Sequence, residues 1–288
     1  MSSAYFDTSA INALTDDPSR DFLIANLTHS DLVIHSSLFN IMELAAFKNK
    51  PRITELFNIV RRVGKGFRPL CTQADILKRS LDAYAAGSME FDASVGEEYN
   101  GVWSALQDPN LIDDQAIEEC RKVKEREEKW LFDFHAQARP KFQELSRASS
   151  SLDKVRRLMP ASYVLHFLNE EQFLEEVFSA FFGTCGYPNN FAGQAKRVLL
   201  DLHPWRVFFT AMALDIFNRA IKPEKFGMKH NPGGIDIKQS VYLPGVSVFV
   251  SNDKNQRRFL KNVCRISQTK TRIVPYDEFT RRLLANTL

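Results

Sequence analysis

Strand-like segments occur near the two ends of this chain, and a long stretch with helical patterns separates them. Short apolar runs with β-branched or aromatic residues lie at Ala4–Phe6, Asp31–His35, Phe67–Cys71, Val246–Val250 and Thr271–Val274. Helical patterns follow them, and strands separated by helices favour a parallel sheet covered by helices on both faces. The sheet would have to be assembled from both ends of the chain.

The middle of the chain predicts an all-helical region. Residues 88–225 carry almost no strand pattern but several amphipathic helical patterns, and the densest charge run, Glu118–Lys129, is typical of the solvated face of a long helix. We therefore predict an α/β fold with a discontinuous core formed by residues 1–87 and 226–288. Residues 88–225 would form a large helical insertion in that core.

Composition sets only broad limits on function. The 288 residues include 38 basic and 35 acidic side chains, and a formal charge of +3 is too small to predict a nucleic-acid partner by itself. The four cysteines have neither CxxC spacing nor a zinc-ligand pattern, which favours reduced thiols in the cytoplasm. The amino terminus lacks signal-peptide features, and the most apolar stretch, Val207–Ile216, is too short to span a bilayer. We expect a cytoplasmic protein without membrane association.

Four acidic residues lie at predicted strand ends or helix starts. Asp7 follows the first strand and Asp253 the penultimate one, whereas Glu43 and Asp236 lie in the early turns of helices. Each alone is explained more simply as a helix cap, a turn residue or a solvated side chain. However, ligands bind outside the carboxyl ends of parallel strands, so all four are expected to converge there. Converging carboxylates repel one another unless a divalent cation neutralises them, which predicts a metal site and phosphodiester chemistry.

With these acids in place, the chain resembles the PIN domain, a metal-dependent nuclease fold. The segments that carry the resemblance are YFDTS at Tyr5–Ser9, SLFNIMELA at Ser37–Ala45, Gly234–Asp236, VFVSND at Val248–Asp253, and TRIVPYDEF at Thr271–Phe279. They fall within roughly the first 85 and the last 60 residues, so the helical middle has no counterpart. In compact members of the family the second and third acids lie much closer in sequence than Glu43 and Asp236 do.

The resemblance implies a three-layer PIN-like core and a set of site residues. Asp7, Glu43, Asp236 and Asp253 would be catalytic and bind metal. Thr8, Ser9 and Ser251 would orient metal-bound water or a ligand carboxylate. Oxygen ligands without His or Cys favour Mg²⁺ or Mn²⁺ over zinc, as one ion or two.

Substrate phosphates would also need positive charge beside the acids. The candidates are Arg61, Arg62, Lys65, Arg68, Lys254 and Arg257. Phe67 and Trp205 are candidates for stacking on bases, although the helical, aromatic surroundings of Trp205 favour a packed position. An ordinary solvated position is an equally good explanation for each basic residue.

The leading hypothesis is a Mg²⁺- or Mn²⁺-dependent endoribonuclease that hydrolyses RNA. The helical insertion would shape a substrate channel, form a homo-oligomer or bind an inhibitor protein, as in a toxin–antitoxin pair. Two alternatives stay open: a non-catalytic scaffold with the same fold, and a structure-specific DNA nuclease. The presence of all four acids disfavours the scaffold. The modest charge and the lack of a helix-hairpin DNA-binding segment slightly disfavour the DNA nuclease.

Overall fold

The computed structural model describes residues 3–149, 160–169, 171–187, 193–221 and 233–285. The strands are β1 (Ser3–Phe6), β2 (Val33–His35), β3 (Val248–Val250) and β4 (Arg272–Val274). The first helices are α1 (Thr8–Asp16), α2 (Arg20–His29), α3 (Leu38–Ala45), α4 (Lys50–Val63), α5 (Gln73–Ala85), α6 (Asn100–Gln107) and α7 (Asp114–Ser149). Further along are α8 (Pro160–Phe167), α9 (Glu171–Thr184), α10 (Ala195–Asp201), α11 (His203–Ile216), α12 (Gly234–Lys238), α13 (Lys254–Ser267) and α14 (Tyr276–Leu284). Short 3₁₀ or π segments lie at Glu97–Tyr99, Pro109–Leu111, Phe217–Ile221 and Gln239–Gly245.

The four strands form one parallel sheet in the order β2-β1-β3-β4. In the centre of the sheet, β1 pairs Ala4 with Ile34 on one side and with Val248 on the other. One neighbour of β1 therefore comes from the start of the chain and the other from its end. The predicted α/β class, with a parallel sheet drawn from both ends, is confirmed.

One local prediction was wrong. The predicted strand at Phe67–Cys71 is reduced to bridges of Leu70 to Ser37 and Ser94, next to Pro69, which has no N–H to donate to a ladder. The segment Ile235–Leu243, whose pattern predicts a short helix, is helical: α12 ends at Lys238 and continues as a 3₁₀ segment that contains Pro244.

The sheet has an apolar cluster on each face, so helices cover it on both sides. Tyr5 and Phe249 point to one face, where their rings stack with centroids 4.8 Å apart. That face is covered by the almost fully buried helix α11, which carries Trp205. Ala4 and Phe6 point to the opposite face, towards α1, α2, α4 and α14. The alternation of residues along β1 thus supplies both cores.

The predicted helical middle shares its core with the sheet. Trp205 on α11 belongs to the same buried cluster as Tyr5 on β1. The predicted boundary near residue 225 lies outside the described residues, and the division into core and insertion stays a prediction. Among the helices that the structure describes, none is both long and apolar enough to cross a membrane.

Candidate functional site

Asp7 and Asp253 lie at the carboxyl edge of the sheet and also cap helices. Asp7 directly follows β1, and its Oδ1 accepts a hydrogen bond from the backbone N–H of Ala10, 2.7 Å away. Asp253 follows β3 and caps α13 through bonds from the N–H groups of Asn255 and Gln256, at 2.6 and 2.9 Å. Asp7 and Asp253 are therefore helix caps and also lie at the carboxyl edge of the sheet.

Glu43 and Asp236 approach the same edge from two helices. Glu43 lies on α3, where its Oε2 accepts a hydrogen bond from the Thr8 hydroxyl at 2.5 Å. Asp236 lies in the first turn of α12, and its Oδ2 accepts from the backbone N–H of Gly233 at 2.9 Å. The Oδ1 of Asp236 accepts from the side-chain amide of Gln256, also at 2.9 Å. Because Thr8 directly follows Asp7, its hydroxyl links the positions of the first two acids.

The four carboxylates act on one another electrostatically. Burial raises the pKa of Asp7 to about 6, against hydrogen bonds from Ser251, Ala10 and Ser9, and Glu43 adds repulsion. Burial, followed by repulsion from Glu43, Asp7 and Asp253, raises the pKa of Asp236 to about 8. The pKa of Glu43 is raised mainly by burial. Asp236 therefore experiences the charges of the other three acids, and we call these four residues the acidic cluster.

Within the described ranges, none of the four acids forms an ion pair with a Lys, Arg or His side chain. Nor does the described part of the chain contain a group of three or more His, Cys, Asp or Glu side chains arranged to hold a metal ion. Their oxygens are directed to hydroxyl, amide and helix N–H donors instead. Carboxylate oxygens without an ion-pair partner among the described residues are ligands that suit Mg²⁺ or Mn²⁺.

The three predicted hydroxyl residues lie beside the acids. Thr8 donates to Glu43, as described above. Ser9 Oγ lies 2.8 and 3.0 Å from the two carboxylate oxygens of Asp7 and accepts a hydrogen bond from the N–H of Asn252. Ser251 Oγ is completely buried and accepts from the N–H of Asp253 at 3.0 Å. These hydroxyls join the segment after β1 to the segment after β3.

The predicted phosphate-binding residues divide into two groups. Arg257 and Lys254 open α13 beside Asp253, and Arg257 donates to the carbonyl oxygen of Ser251 at 2.7 Å. Lys65, in contrast, donates to the carbonyl of Ser30, which precedes β2 and so lies towards the amino edge of the sheet.

The remaining basic residues also contact groups other than the acids. Arg61 donates to the carbonyl of Gln107, Arg62 pairs with Asp21 at 3.6 Å, and Arg68 donates to the carbonyls of Val95 and Gly96. The structure therefore brings the basic residues of α13 to the acids, but not those of the segment 61–68.

The two aromatic residues predicted to stack on bases differ in accessibility. Trp205 is completely buried, and its Nε1 donates to the carbonyl of Leu77 at 3.1 Å. Burial excludes Trp205 as a residue that stacks on bases and agrees with the packed position that its helical, aromatic surroundings predict. Phe67 is 53% exposed and near His35, with ring centroids 6.5 Å apart.

Helix α7 closes one side of the acidic cluster by packing closely on α12. A Cβ atom at Gly234 would lie only 2.6 Å from the backbone oxygen of Glu127, so the approach requires glycine at this position. Lys238, at the other end of α12, pairs with the Glu127 carboxylate and places its Nζ 4.5 Å from the centroid of the Trp130 ring. These contacts fix the helix that carries Asp236.

The same helix passes along α3. Arg121 on α7 donates to the carbonyls of Ala46 and Phe47, just after the end of α3. One or two turns further along α7, the charge of Lys124 lowers the pKa of Glu43 and that of Glu128 raises it, although burial dominates. The helical middle thus supplies charged groups to the surroundings of the site.

Two amide side chains belong to this site although their residues were not predicted. Asn40 donates from Nδ2 to Thr8 Oγ1 at 3.2 Å, which holds the hydroxyl that bonds Glu43. Gln256 accepts a hydrogen bond from the Ser251 hydroxyl and donates one to the carboxylate of Asp236. The sequence contains one signal for Gln256: it stands three residues after the helix cap Asp253, in the spacing of a capping box. That spacing predicts a bond to the backbone of the cap, but the side chain turns to the acids instead.

Comparison of this chain with protein-family models, with curated proteins and with solved structures gave no match. Its functional interpretation therefore depends on the geometry of the acidic cluster and on the resemblance of its short motifs to PIN domains.

Proposed function

We propose that the protein is a Mg²⁺- or Mn²⁺-dependent endoribonuclease with a PIN-like core. The observation that carries the proposal is the acidic cluster at the carboxyl edge of a parallel sheet, where ligands bind in such folds. Asp7 is only 4% exposed, and burial together with neighbouring carboxylates raises the pKa values of Asp7 and Asp236. Burying a carboxylate that has no ion-pair partner, as for Asp7 among the described residues, is costly to folding, and such perturbed groups concentrate at functional sites.

The chain's own residues would prepare the site for an ion and for a phosphate. Asp7, Glu43 and Asp236 would hold the ion, and Asp253 would complete the ligand set directly or through water. When bound, Mg²⁺ or Mn²⁺ supplies a polarised phosphoryl oxygen and a water molecule of lowered pKa.

The neighbouring groups have separate roles in this proposal. Thr8 and Ser9 restrict the rotamers of Glu43 and Asp7 by the hydrogen bonds described above. Arg257 and Lys254 would attract the substrate phosphates, because both lie beside Asp253 at the start of α13. We further propose that an inhibitor protein, if one exists, would occlude this acidic edge.

A cleavage assay tests the proposal. Purified protein is incubated with end-labelled single-stranded RNA, structured RNA and single-stranded or branched DNA in Mg²⁺, Mn²⁺ or EDTA. The test variant is Asp7→Asn, because asparagine also caps helices well and so removes the charge but keeps the cap of α1. The matched control is Asp31→Asn, which removes an exposed carboxylate before β2.

We expect metal-dependent cleavage of RNA by the wild-type protein and by Asp31→Asn, and a loss of at least about 100-fold in Asp7→Asn. Cleavage of DNA alone would favour the DNA nuclease. The absence of cleavage of every substrate, together with no change in melting temperature on adding metal, would favour the scaffold.

A further inference from the structure

A buried amide connects the acids that come from opposite ends of the chain. Gln256 lies in the first turn of α13 and has no exposed surface. Its Oε1 accepts a hydrogen bond from Ser251 Oγ at 2.7 Å. Its Nε2 donates to Asp236 Oδ1 at 2.9 Å and to Gln239 Oε1 at 2.8 Å. The oxygen and the two N–H donors of the amide are therefore all engaged.

The partners of the amide favour this orientation when Asp236 is ionised, which is the form that binds a cation. A flipped amide would then present its NH₂ group to Ser251 and its oxygen to the carboxylate of Asp236, which has no proton to donate. Ser251 Oγ also lies 3.4 Å from Ser9 Oγ, and the Ser9 hydroxyl donates to Asp7 at 2.8 Å. A continuous path of polar contacts thus joins Asp7, Ser9, Ser251, Gln256 and Asp236.

Helix capping alone does not require this arrangement. The carboxylate of Asp253 already caps α13 by accepting from two backbone N–H groups. Asp236 is likewise held by the backbone N–H of Gly233. The side chain of Gln256 adds a direct hydrogen bond between α13 and the carboxylate of Asp236 on α12.

We propose that Gln256 is a positioning residue that sets the carboxylate of Asp236 relative to Asp7 for cation binding. This inference rests on the proposed metal site, but it does not depend on which substrate is cut. Groups that orient metal ligands by hydrogen bonds typically change metal affinity 10- to 100-fold when they are removed. Gln256 would act through Asp236 and would not touch the substrate.

The test compares Mn²⁺ affinity in two variants and a control. Gln256→Met keeps the length of the side chain and removes its hydrogen bonds. Gln256→Glu keeps an acceptor for Ser251, removes the donors to Asp236 and Gln239, and adds negative charge. Gln268→Met changes an exposed glutamine at the end of the same helix. Bound and free Mn²⁺ are quantified by electron paramagnetic resonance, and circular dichroism measures whether each variant is folded.

We expect both Gln256 variants to bind Mn²⁺ about 10- to 100-fold more weakly than the wild type, and Gln268→Met to bind unchanged. Weaker binding by Gln256→Glu is the more informative result, since added negative charge by itself would strengthen the attraction for a cation. Excess Mn²⁺ should restore most of the cleavage rate. If Gln256→Met does not fold, Gln256→Glu decides the question.

The outcomes separate the two proposals. Unchanged Mn²⁺ affinity in a folded Gln256 variant would overturn the positioning role and leave the nuclease proposal intact. Mn²⁺ binding by the wild type without cleavage of any substrate would overturn the nuclease proposal. The Mn²⁺ affinities of the Gln256 variants would then still decide the positioning role. A wild-type protein that binds no Mn²⁺ would overturn both.

Discussion

Replacing Asp236 with asparagine should stabilise the metal-free protein at alkaline pH. The pKa of Asp236 is raised from 3.8 to about 8 by burial and by repulsion from Glu43, Asp7 and Asp253. Above pH 4 the unfolded chain loses this proton while the folded chain retains it. The unfavourable ionisation of Asp236 in the folded state therefore lowers stability progressively as the pH rises from about 4 to about 8, and Asp236→Asn abolishes that loss.

The size of the effect follows from the two pKa values. A gap of about four pH units corresponds to about 5–6 kcal/mol of unfolding free energy at most. Asparagine has one acceptor oxygen in place of two, so it gives up the bond from Gly233 or from Gln256, which costs about 1–2 kcal/mol. The net gain at pH 8.5 should be about 3–5 kcal/mol, and at pH 4.5 it should disappear or reverse.

Denaturation in urea at pH 4.5 and pH 8.5, in the presence of EDTA, measures this difference. Asp31→Asn serves as the control, because Asp31 is exposed. The explanation would be refuted if Asp236→Asn were no more stable than the wild type at pH 8.5. It would also be refuted if the two proteins differed by the same free energy at both pH values.

Three further predictions concern metal binding and packing. Mn²⁺ at 100 times its dissociation constant should stabilise the wild type by about 2.7 kcal/mol in thermal or chemical denaturation, and Asp236→Asn should lose most of that gain. Gly234→Ala should destabilise the fold by about 1–3 kcal/mol, because its Cβ would meet the Glu127 carbonyl, whereas Gly183→Ala, which has open space, should be neutral or stabilising in the same assay. Trp205→Phe should cost about 2–4 kcal/mol in urea denaturation, since it leaves a cavity in the core and removes the hydrogen bond from the indole N–H to the carbonyl of Leu77.

Local patterns predicted the four strands that the structure describes, and also a fifth at Phe67–Cys71 that is reduced to isolated bridges. The first strand and the segment Val246–Val250 carry short apolar runs followed by helix-capping acids, and the structure places β1 and β3 side by side. The position of Asp7 at the carboxyl edge follows from that pairing. In a parallel sheet every strand ends at the same edge, so a residue directly after a predicted strand could be placed at that edge from the sequence alone.

The interactions between distant elements could not be predicted in the same way. The capping-box spacing of Gln256 predicts a local backbone contact, whereas its partner Asp236 is supplied by another helix. Arg62 and Lys65 belong to the densest purely basic run of the sequence, Arg61–Arg68. Local charge density does not specify which edge of a sheet such residues occupy. For Trp205 the helical, aromatic surroundings predicted a packed position, which the structure confirms.

The central place of β1 also constrains the order of events during folding. Its pairing with β2 involves residues about 30 positions apart, but its pairing with β3 must wait for residues near 248. During synthesis one edge of β1 stays open, and an open strand edge can pair with another chain. Contacts so distant in sequence form slowly. Because Asp253 follows β3, this late step also completes the acidic cluster. A chain still on the ribosome that ends before residue 236 would carry only Asp7 and Glu43 of the four acids.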